Sequence, residues 1–283
     1  MKIEFTKMEG IGNDFLFIDD RNHGIENHIP YHTLSRRLCD RRFGIGGDGM
    51  ILILNSQVCD LQFRIFNSDG SEAQMCGNGM RCFARLVYEK QIIRKNEFSV
   101  ETLAGKIIPR ILFDKAGNID AVKVDMGEPI LDPATIPFVS NQSQVISEAV
   151  EIDGRQIMIT AVSMGNPHAV IFVDSADRAP VLQLGPMIEK NPRFPEKTNV
   201  EFVEVISDNE LKMKVWERGA GVTLACGTGA CAALVAAHLN QKSSEQAVVH
   251  LDGGDLFIQW DRKTNHVYKT GPADMVFTGT IEI

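Results

Sequence analysis

The chain has 283 residues, of which 44% are hydrophobic, and its 29 basic and 37 acidic side chains give a formal net charge of −8. This length and apolar content are enough for about two domains, each with its own core. The acidic balance argues against nucleic acid or an anionic membrane as the main partner, because few cations remain to neutralise phosphates. We therefore expect a small-molecule ligand.

The N-terminal segment has the pattern of a β-strand. Apolar Met1, Ile3 and Phe5 alternate with polar residues, whereas a secretory signal would show a continuous apolar stretch. The longest stretch without charge, 156–173, is interrupted by Gly165-Asn166-Pro167-His168 and does not fit a membrane span. These features predict a cytoplasmic protein with no membrane association.

Predicted strands are short, rich in Ile, Val and Phe, and bounded by Gly, Asn and Asp. In chain order they cover 2–7, 15–19, 50–54, 61–67, 100–102, 121–126, 157–162, 169–173, 201–205, 212–217 and 256–260. The segment 132–147 contains Pro, Ser and Gln and is interpreted as a connection near a domain boundary.

Two helices are predicted, each directly after a C-G-x-G motif. The first carries one apolar stripe at helical spacing, Met80, Phe83, Ala84, Val87 and Tyr88. Arg81, Arg85 and Glu89 fall together on another face of this helix. The second helix, 230–239, is apolar nearly all round, which predicts a buried position.

The most informative feature is an internal duplication. Residues 61–82 align without a gap with residues 211–232, at an offset of 150, and each copy contains a strand, a polar turn and C-G-x-G. Further upstream matches pair Gly12-Asn13-Asp14-Phe15 with Gly165-Asn166-Pro167-His168, Arg42-Phe43-Gly44 with Arg193-Phe194-Pro195, and Asp48 with Asn199. Two copies predict two similar lobes, with equivalent residues facing each other across a cleft.

The six cysteines do not suggest a disulfide framework, because they are sparse and no secretory signal is present. The intervals 76–82 and 226–231 also lack the C-x2-C pairing of structural zinc sites, so no metal is expected. Buried structural thiols are the expectation for four of them, Cys39, Cys59, Cys82 and Cys231.

Cys76 and Cys226 have a position suited to acid–base chemistry. Each begins a predicted helix, where free backbone N–H groups and partial positive charge favour the thiolate. Gly77, Gly79 and their counterparts leave room for a ligand carboxylate to approach the backbone. One thiolate could remove a proton from a carbon while the other thiol delivers one to the opposite face, which is stereoinversion without pyridoxal phosphate.

At this point the chain resembles the diaminopimelate epimerase family. The motifs that carry the resemblance run nearly from end to end: Met8-Glu9-Gly10-Ile11-Gly12-Asn13-Asp14-Phe15, Arg64-Ile65-Phe66-Asn67-Ser68-Asp69-Gly70-Ser71-Glu72, Cys76-Gly77-Asn78-Gly79, Gly165-Asn166-Pro167-His168, Thr198-Asn199-Val200, Glu217-Arg218-Gly219-Ala220-Gly221 and Ala225-Cys226-Gly227-Thr228-Gly229.

The resemblance implies an α/β (α+β) fold of two pseudo-symmetric lobes, each a mixed, mostly antiparallel β-sheet or barrel around a central helix. The active site would lie in the cleft between them. The lobes would cover 1–125, completed by the C-terminal strand 272–283, and 126–271. The implied activity is cofactor-independent conversion of LL-diaminopimelate to the meso form, in lysine and peptidoglycan precursor synthesis, by a homodimer.

The resemblance also implies the site residues. Cys76 and Cys226 would be the catalytic pair, and His168 and Glu217 would tune their pKa values. The implied substrate-binding residues are Asn13, Asn67, Gly77, Asn78, Asn166, Asn199, Glu217, Arg218, Gly227 and Thr228. These roles are chemically reasonable, because Arg218 can hold a distal carboxylate in a bidentate fork and Glu217 suits an ammonium group.

One position departs from the family pattern and keeps alternatives open. Many members have Gln where this chain has Gly49, so one contact to substrate is lost. A related racemase with the same two thiols, for example one acting on histidine, is therefore an alternative. A thiol redox or metal-binding protein is an alternative of a different class. An isomerase of the phenazine-biosynthesis type is disfavoured, because that group lacks the paired cysteines.

Overall fold

A computed structural model of the chain describes all residues from Met1 to Ile283. The strands are β1 (Lys2–Gly10), β2 (Asn13–Asp19), β3 (Gly49–Leu54), β4 (Leu61–Asn67), β5 (Glu72–Ala73), β6 (Val100–Thr102), β7 (Gly105–Ile107), β8 (Arg110–Phe113), β9 (Ile119–Asp125), β10 (Glu148–Ile152), β11 (Arg155–Ser163), β12 (Pro167–Phe172), β13 (Asn199–Ser207), β14 (Glu210–Glu217), β15 (Gly221–Val222), β16 (Gln246–Leu251), β17 (Gly254–Asp261), β18 (His266–Gly271) and β19 (Asp274–Glu282). The helices are α1 (Tyr31–Cys39), α2 (Gly77–Glu89), α3 (Val181–Glu189) and α4 (Gly227–Leu239), with a single 3-10 turn at Ala176–Arg178.

The chain forms two compact units, one comprising Met1–Val124 with Gly271–Ile283 and the other Asp125–Thr270. In the first unit the strand order is β19-β1-β2-β3-β4-β6-β7, and β5 pairs with β4. Neighbouring strands are antiparallel except for the pairs β2–β3 and β4–β6, which are parallel. Strands β8 and β9 pair as an antiparallel hairpin.

The second unit repeats this arrangement. Its strand order is β10-β11-β12-β13-β14-β16-β17, continued by β18, and β15 pairs with β14. The parallel pairs are again the third and the fifth, β12–β13 and β14–β16. The predicted duplication is therefore confirmed strand by strand, and so is the predicted fold of two related, mostly antiparallel lobes.

Each unit is built around the helix that follows C-G-x-G. Helix α2 packs against β1, β2, β3, β8 and β19, and α4 packs against β11 to β14, β16 and β17. The predicted apolar stripe of α2 is buried except for Tyr88, which is half-buried, and α4 is buried from Gly229 to Ala237. The prediction of a polar face on α2 is wrong for Arg81, which is completely buried.

Two shorter helices cover the opposite side of the sheets. Helix α1 packs against β3 and β4, and α3 packs against β10, β13, β14 and β15. The segment 132–147 contains no helix or strand, as predicted. No helix of the structure combines the length and the apolar character that crossing a membrane requires.

Candidate active site

Cys76 is the N-cap residue of α2. Its backbone is extended, with φ −136° and ψ 118°, and its sulfur accepts a hydrogen bond from the Gly79 N–H at 3.5 Å. The strand β4 and the turn after β5 bring the thiol to this position, and the first turn of the helix supplies N–H groups that have no partner within the helix. The thiol is partly exposed, so it is open to a ligand.

Asn13 positions a neutral amide against this thiol. Its Oδ1 lies 3.9 Å from Cys76 Sγ and accepts a hydrogen bond from Asn78 Nδ2 at 3.4 Å. Its Nδ2 donates to a carboxylate oxygen of Asp48 at 2.5 Å, and Arg41 donates to the other oxygen at 2.8 Å. Because a carboxylate only accepts, Asp48 sets which end of the Asn13 amide faces the sulfur.

The remaining predicted residues of the first unit are arranged less closely. Asn78 is buried and accepts from Arg81 Nη1 at 2.8 Å, which holds its amide in place. Gly77 follows Cys76 in the first turn. Asn67 ends β4 with an exposed side chain that donates to Ser71 Oγ at 2.9 Å.

Cys226 occupies the same place in the second unit, as N-cap of α4 with φ −123° and ψ 106°. Its sulfur accepts from the Gly229 N–H at 3.4 Å and lies 3.6 Å from Thr228 Oγ1. Unlike Cys76 it is buried, with 5% of its surface exposed.

A buried hydrogen-bonded chain lies next to Cys226. His168 on β12 and Glu201 on β13 are both completely buried, and His168 Nδ1 is 2.7 Å from Glu201 Oε1. The other ring nitrogen, Nε2, is 3.1 Å from Asn166 Oδ1. His168 therefore links the carboxylate to one of the amides that were predicted to contact substrate.

The ends of β13 and β14 carry the other predicted residues of this unit. Asn199 donates from Nδ2 to the Pro167 carbonyl at 2.9 Å and accepts from the Arg218 backbone N–H at 2.9 Å. Arg218 has an exposed side chain whose Nη1 donates to the Glu196 carbonyl at 3.1 Å. Glu217 accepts a hydrogen bond from the Thr223 hydroxyl.

The expectation that a helix start favours the thiolate is wrong for Cys226. Burial raises the pKa of this thiol well above its usual value, and the negative charges of Glu217 and Glu201 raise it further. The hydrogen bonds from Thr228 and Gly229 act in the opposite direction but do not compensate. Cys226 is therefore a neutral thiol at neutral pH, which suits a proton donor.

The donor atoms of His168, Glu201 and Cys226 lie within 4.8 Å of one another. Imidazole, carboxylate and thiolate are all zinc ligands, so the three side chains are of the types that form a metal site. Both ring nitrogens of His168 are already engaged in hydrogen bonds, so a metal would have to displace one of these partners. We interpret the group as a hydrogen-bonded pair beside a thiol and assign no metal to it.

Gly49, where the chain departs from the family pattern, has little space for a side chain. A Cβ added there would be 2.9 Å from the Phe66 carbonyl oxygen. The strand register pairs Phe15 with Gly49 and His168 with Asn199, so Gly49 is the structural equivalent of Asn199. The sequence alignment of Asp48 with Asn199 is therefore wrong by one residue.

Sequence reasoning did not identify Glu201 or Arg41. Glu201 stands in a run of otherwise mostly apolar strand residues, and the register makes Ile51 its equivalent in the first unit. The sequence did contain an indication of its importance: Glu201 is a carboxylate where the other copy of the duplication has the isoleucine Ile51.

Comparison with solved structures identifies proteins of the same fold. A member of the phenazine biosynthesis PhzF family from Bacillus anthracis shares the fold with a TM-score of 0.70 and 16% identity, and each chain is covered to 100%. A hydroxyproline epimerase from Agrobacterium vitis matches with a TM-score of 0.68 and 14% identity, over 99% of this chain and 92% of the other. These likenesses show that the chain shares its fold with both proteins.

Sequence comparison then gives the family. The family model for diaminopimelate epimerase matches residues 5–131 and 160–276. A diaminopimelate epimerase from Desulforapulum autotrophicum is 58% identical over 283 residues, which is 100% of both chains. The chain belongs to the diaminopimelate epimerase family, and it is an isomerase.

Proposed function

We propose that the chain interconverts LL-2,6-diaminopimelate and meso-diaminopimelate through an acid–base pair of cysteines, Cys76 and Cys226. The observation that carries this proposal is the repetition of one thiol site: each cysteine caps a helix, accepts an N–H bond from the glycine three residues on, and begins a C-G-x-G motif. A reaction that inverts one carbon needs two groups of the same kind, since reversal exchanges their roles.

The proton transfers of the proposed reaction balance without an oxidation or a reduction. One cysteine, as thiolate, takes the α-proton, and the electron pair of the broken C–H bond delocalises into the substrate carboxylate. The other cysteine, as thiol, delivers its proton to the opposite face of the carbon. Backbone N–H groups in the first turns of α2 and α4 stabilise the charge that grows on the carboxylate.

The proposed binding residues divide by charge. The amides of Asn13, Asn67, Asn78, Asn166 and Asn199, the backbone of Gly77 and Gly227, and the hydroxyl of Thr228 offer neutral contacts. Glu217 binds an ammonium group, and the exposed guanidinium of Arg218 binds the distal carboxylate. His168 and Glu217 modulate the thiol pKa values, a role supported for Glu217 by its effect on Cys226.

The proposed reaction needs neither pyridoxal phosphate nor a metal, because the thiols and the helix N-termini supply the proton transfer and the anion stabilisation. We place it in lysine and peptidoglycan precursor synthesis in the cytoplasm. The test also distinguishes two alternatives: a racemase acting on another amino acid such as histidine, and a thiol redox protein.

The deciding experiment is proton exchange in D2O without added cofactor, followed by proton NMR and chiral separation. Wild type should gain deuterium at one α-carbon of LL-diaminopimelate and form the meso isomer. Cys76→Ala and Cys226→Ala should each lose turnover, whereas Cys82→Ala, which removes a buried thiol from the same helix as Cys76, should keep it. Turnover by either active-site variant would refute the pair; wild type inactive on diaminopimelate but active on L-histidine would favour the racemase.

We also propose a homodimer formed through β19. This strand lies at the end of the sheet order, so one edge has no strand neighbour, and it exposes Met275, Val276 and Phe277. A second copy is the occupant that would match this edge. Sedimentation should show two chains per particle in wild type and in Val58→Lys, an exposed position elsewhere in the unit, but one chain in Val276→Lys. A monomeric wild type would disprove this assembly.

A further inference from the structure

The two units differ in the buried residues beneath their thiol-capped helices, and one of these positions is closest to the helix. Ile51 on β3 and Glu201 on β13 are equivalent in the strand register. They also lie equally close to the helices: a Cβ added to Gly79 would be 2.6 Å from Ile51 Cδ1, and one added to Gly229 would be 2.7 Å from Glu201 Oε1. The same place therefore holds a methyl group in one unit and a carboxylate in the other.

The buried carboxylate of Glu201 is expected to destabilise the fold. Glu201 is completely buried, its Oε1 is paired with His168, and its Oε2 has no hydrogen-bond partner. Burying a charged or half-satisfied group destabilises a fold unless another interaction compensates. The equivalent residues Phe15 and Ile51 are buried and apolar in the first unit, so the scaffold does not require ionisable residues at these positions.

Cys226 is the functional group that this carboxylate faces. Its sulfur and a Glu201 oxygen lie within 4.8 Å of each other. Several groups surround the sulfur: His168 from β12, Glu201 from β13, Glu217 from the end of β14, and Thr228 and Gly229 from α4. Cys76 has the neutral amide of Asn13 at its sulfur instead.

We propose that Glu201 is a positioning residue for Cys226: its carboxylate anchors the His168 ring and keeps the neighbouring sulfur protonated until substrate is bound. This inference rests on the proposed two-thiol mechanism. The negative carboxylate opposes a second negative charge close by, so Cys226 rests as the acid of the pair. The neutral ring donates its Nδ1–H to the carboxylate, which fixes the ring and leaves Nε2 as an acceptor that faces the Asn166 amide at 3.1 Å.

The first test measures the ionisation of Cys226 without turnover. Wild type and Glu201→Gln are alkylated with iodoacetamide from pH 6 to pH 10, and the modified peptides are quantified by mass spectrometry. Glutamine keeps the shape and the acceptor for His168 but removes the charge. Alkylation of Cys226 at pH 8 should become about tenfold faster or more, since one pKa unit changes the thiolate fraction tenfold.

Two controls accompany this measurement. Cys76, read in the same digests, should keep its alkylation profile. Glu204→Gln removes the same charge three residues along β13, where Glu204 accepts from the Ala176 N–H, and should leave Cys226 unchanged. An unchanged Cys226 profile in Glu201→Gln overturns the inference, even if turnover depends on both thiols. If Cys226→Ala keeps turnover, the two-thiol mechanism fails, but the alkylation data still decide what Glu201 does to the sulfur.

The second test transplants the residues of the other unit. The double variant His168→Phe with Glu201→Ile should melt at or above the wild-type temperature, because replacing a buried polar pair by apolar side chains is often neutral or stabilising. Its pH profile of kcat should shift to lower pH with little change in KM. A strongly lowered melting temperature together with unchanged Cys226 alkylation would show a purely structural role and overturn the inference.

Discussion

The two units share one strand order but differ in the residues that lie beneath their thiols. In the first unit these residues are the apolar Phe15 and Ile51, and Asp14 pairs with Lys7 at 2.8 Å and with Arg41 at 2.6 Å nearer the surface. In the second unit the residue equivalent to Asp14 is Pro167, and the ionisable pair His168 and Glu201 lies buried beneath Cys226.

Because of this difference, the position of each thiol and its ionisation are set by different parts of the structure. The repeated strand order and the repeated helix caps set where each thiol lies. The side chains around each cap set how readily the thiol ionises, because a nearby carboxylate and a dry environment both oppose the thiolate. In the proposed mechanism the two cysteines act as acid and base in turn, and their surroundings make them unequal before substrate binds.

The largest expected effect compares the glycines that donate to the two sulfurs. Alanine at Gly229 would press on Glu201 Oε1 at 2.7 Å and on Cys226 Sγ at 3.1 Å, both held in a hydrogen-bonded group. Alanine at Gly79 would meet the Cδ1 methyl of Ile51, which can rotate away. We expect Gly229→Ala to lower kcat by about a hundredfold and Gly79→Ala by less than about tenfold, since misplacement by about 1 Å costs on that order.

Steady-state kinetics of both variants, with circular dichroism to confirm folding, make this measurement. Equal losses of kcat in the two variants would mean that turnover does not depend on whether Glu201 or Ile51 lies beneath the helix.

The next effect concerns the helices themselves. Arg81 in α2 is completely buried and donates to the Pro272 carbonyl at 2.9 Å and to Asn78 Oδ1 at 2.8 Å, whereas the equivalent residue in α4 is Cys231. Arg81→Met removes the donor from both acceptors and should lower the free energy of unfolding by about 2 kcal/mol. Cys231→Ala should cost about 1 kcal/mol, as a small cavity does. Urea denaturation of both variants compares them; the reverse order would mean that the hydrogen bonds of Arg81 contribute less to stability than the packing of the Cys231 side chain.

Sequence reasoning was most successful where the chain repeats itself. The two C-G-x-G helices and the strands at Leu61–Asn67 and Val100–Thr102 were predicted at their observed places. It missed α3, because Gly185 and Pro186 inside it are residues that usually end a helix. The packing explains the glycine: a Cβ at Gly185 would lie 2.7 Å from the Trp216 side chain, so the close contact with β14 requires its absence.

The sequence predicts a set of site residues but not the electrostatics around them. The motif gives the chain position of Cys226, whereas its ionisation depends on burial and on the charges of Glu217 and Glu201, the second of which is 25 residues away in the sequence. Similarly, Arg81 shares a helix face with Arg85 and Glu89 by spacing, and the sequence does not show that Arg81 alone of the three is buried, against the C-terminal segment at Pro272.

The smallest expected effect concerns the charges at the rim of the first unit. Burial alone would raise the pKa of Asp14, but hydrogen bonds from Arg41 and Lys7 outweigh it and hold the pKa at about 2. A carboxyl whose pKa is lowered in the folded state stabilises the fold above its unfolded value near 4, and this contribution is lost as the pH falls toward about 2.

Asp14→Asn should therefore lower the free energy of unfolding by about 1 kcal/mol at pH 6, a figure reduced for the partial exposure of the group, and by progressively less as the pH approaches 2. Urea denaturation of wild type and variant from pH 2.5 to pH 6 makes the comparison. Asp177→Asn is the matched control in the second unit, where a fully exposed aspartate pairs with Lys212; Lys212 lowers the pKa of this carboxyl too, but solvent screens the pair, so the change should be smaller than for Asp14 at every pH. If the Asp14 variant lost the same stability at every pH, the residue would act through its shape and backbone contacts, and the rim charges would contribute nothing to the contrast between the units.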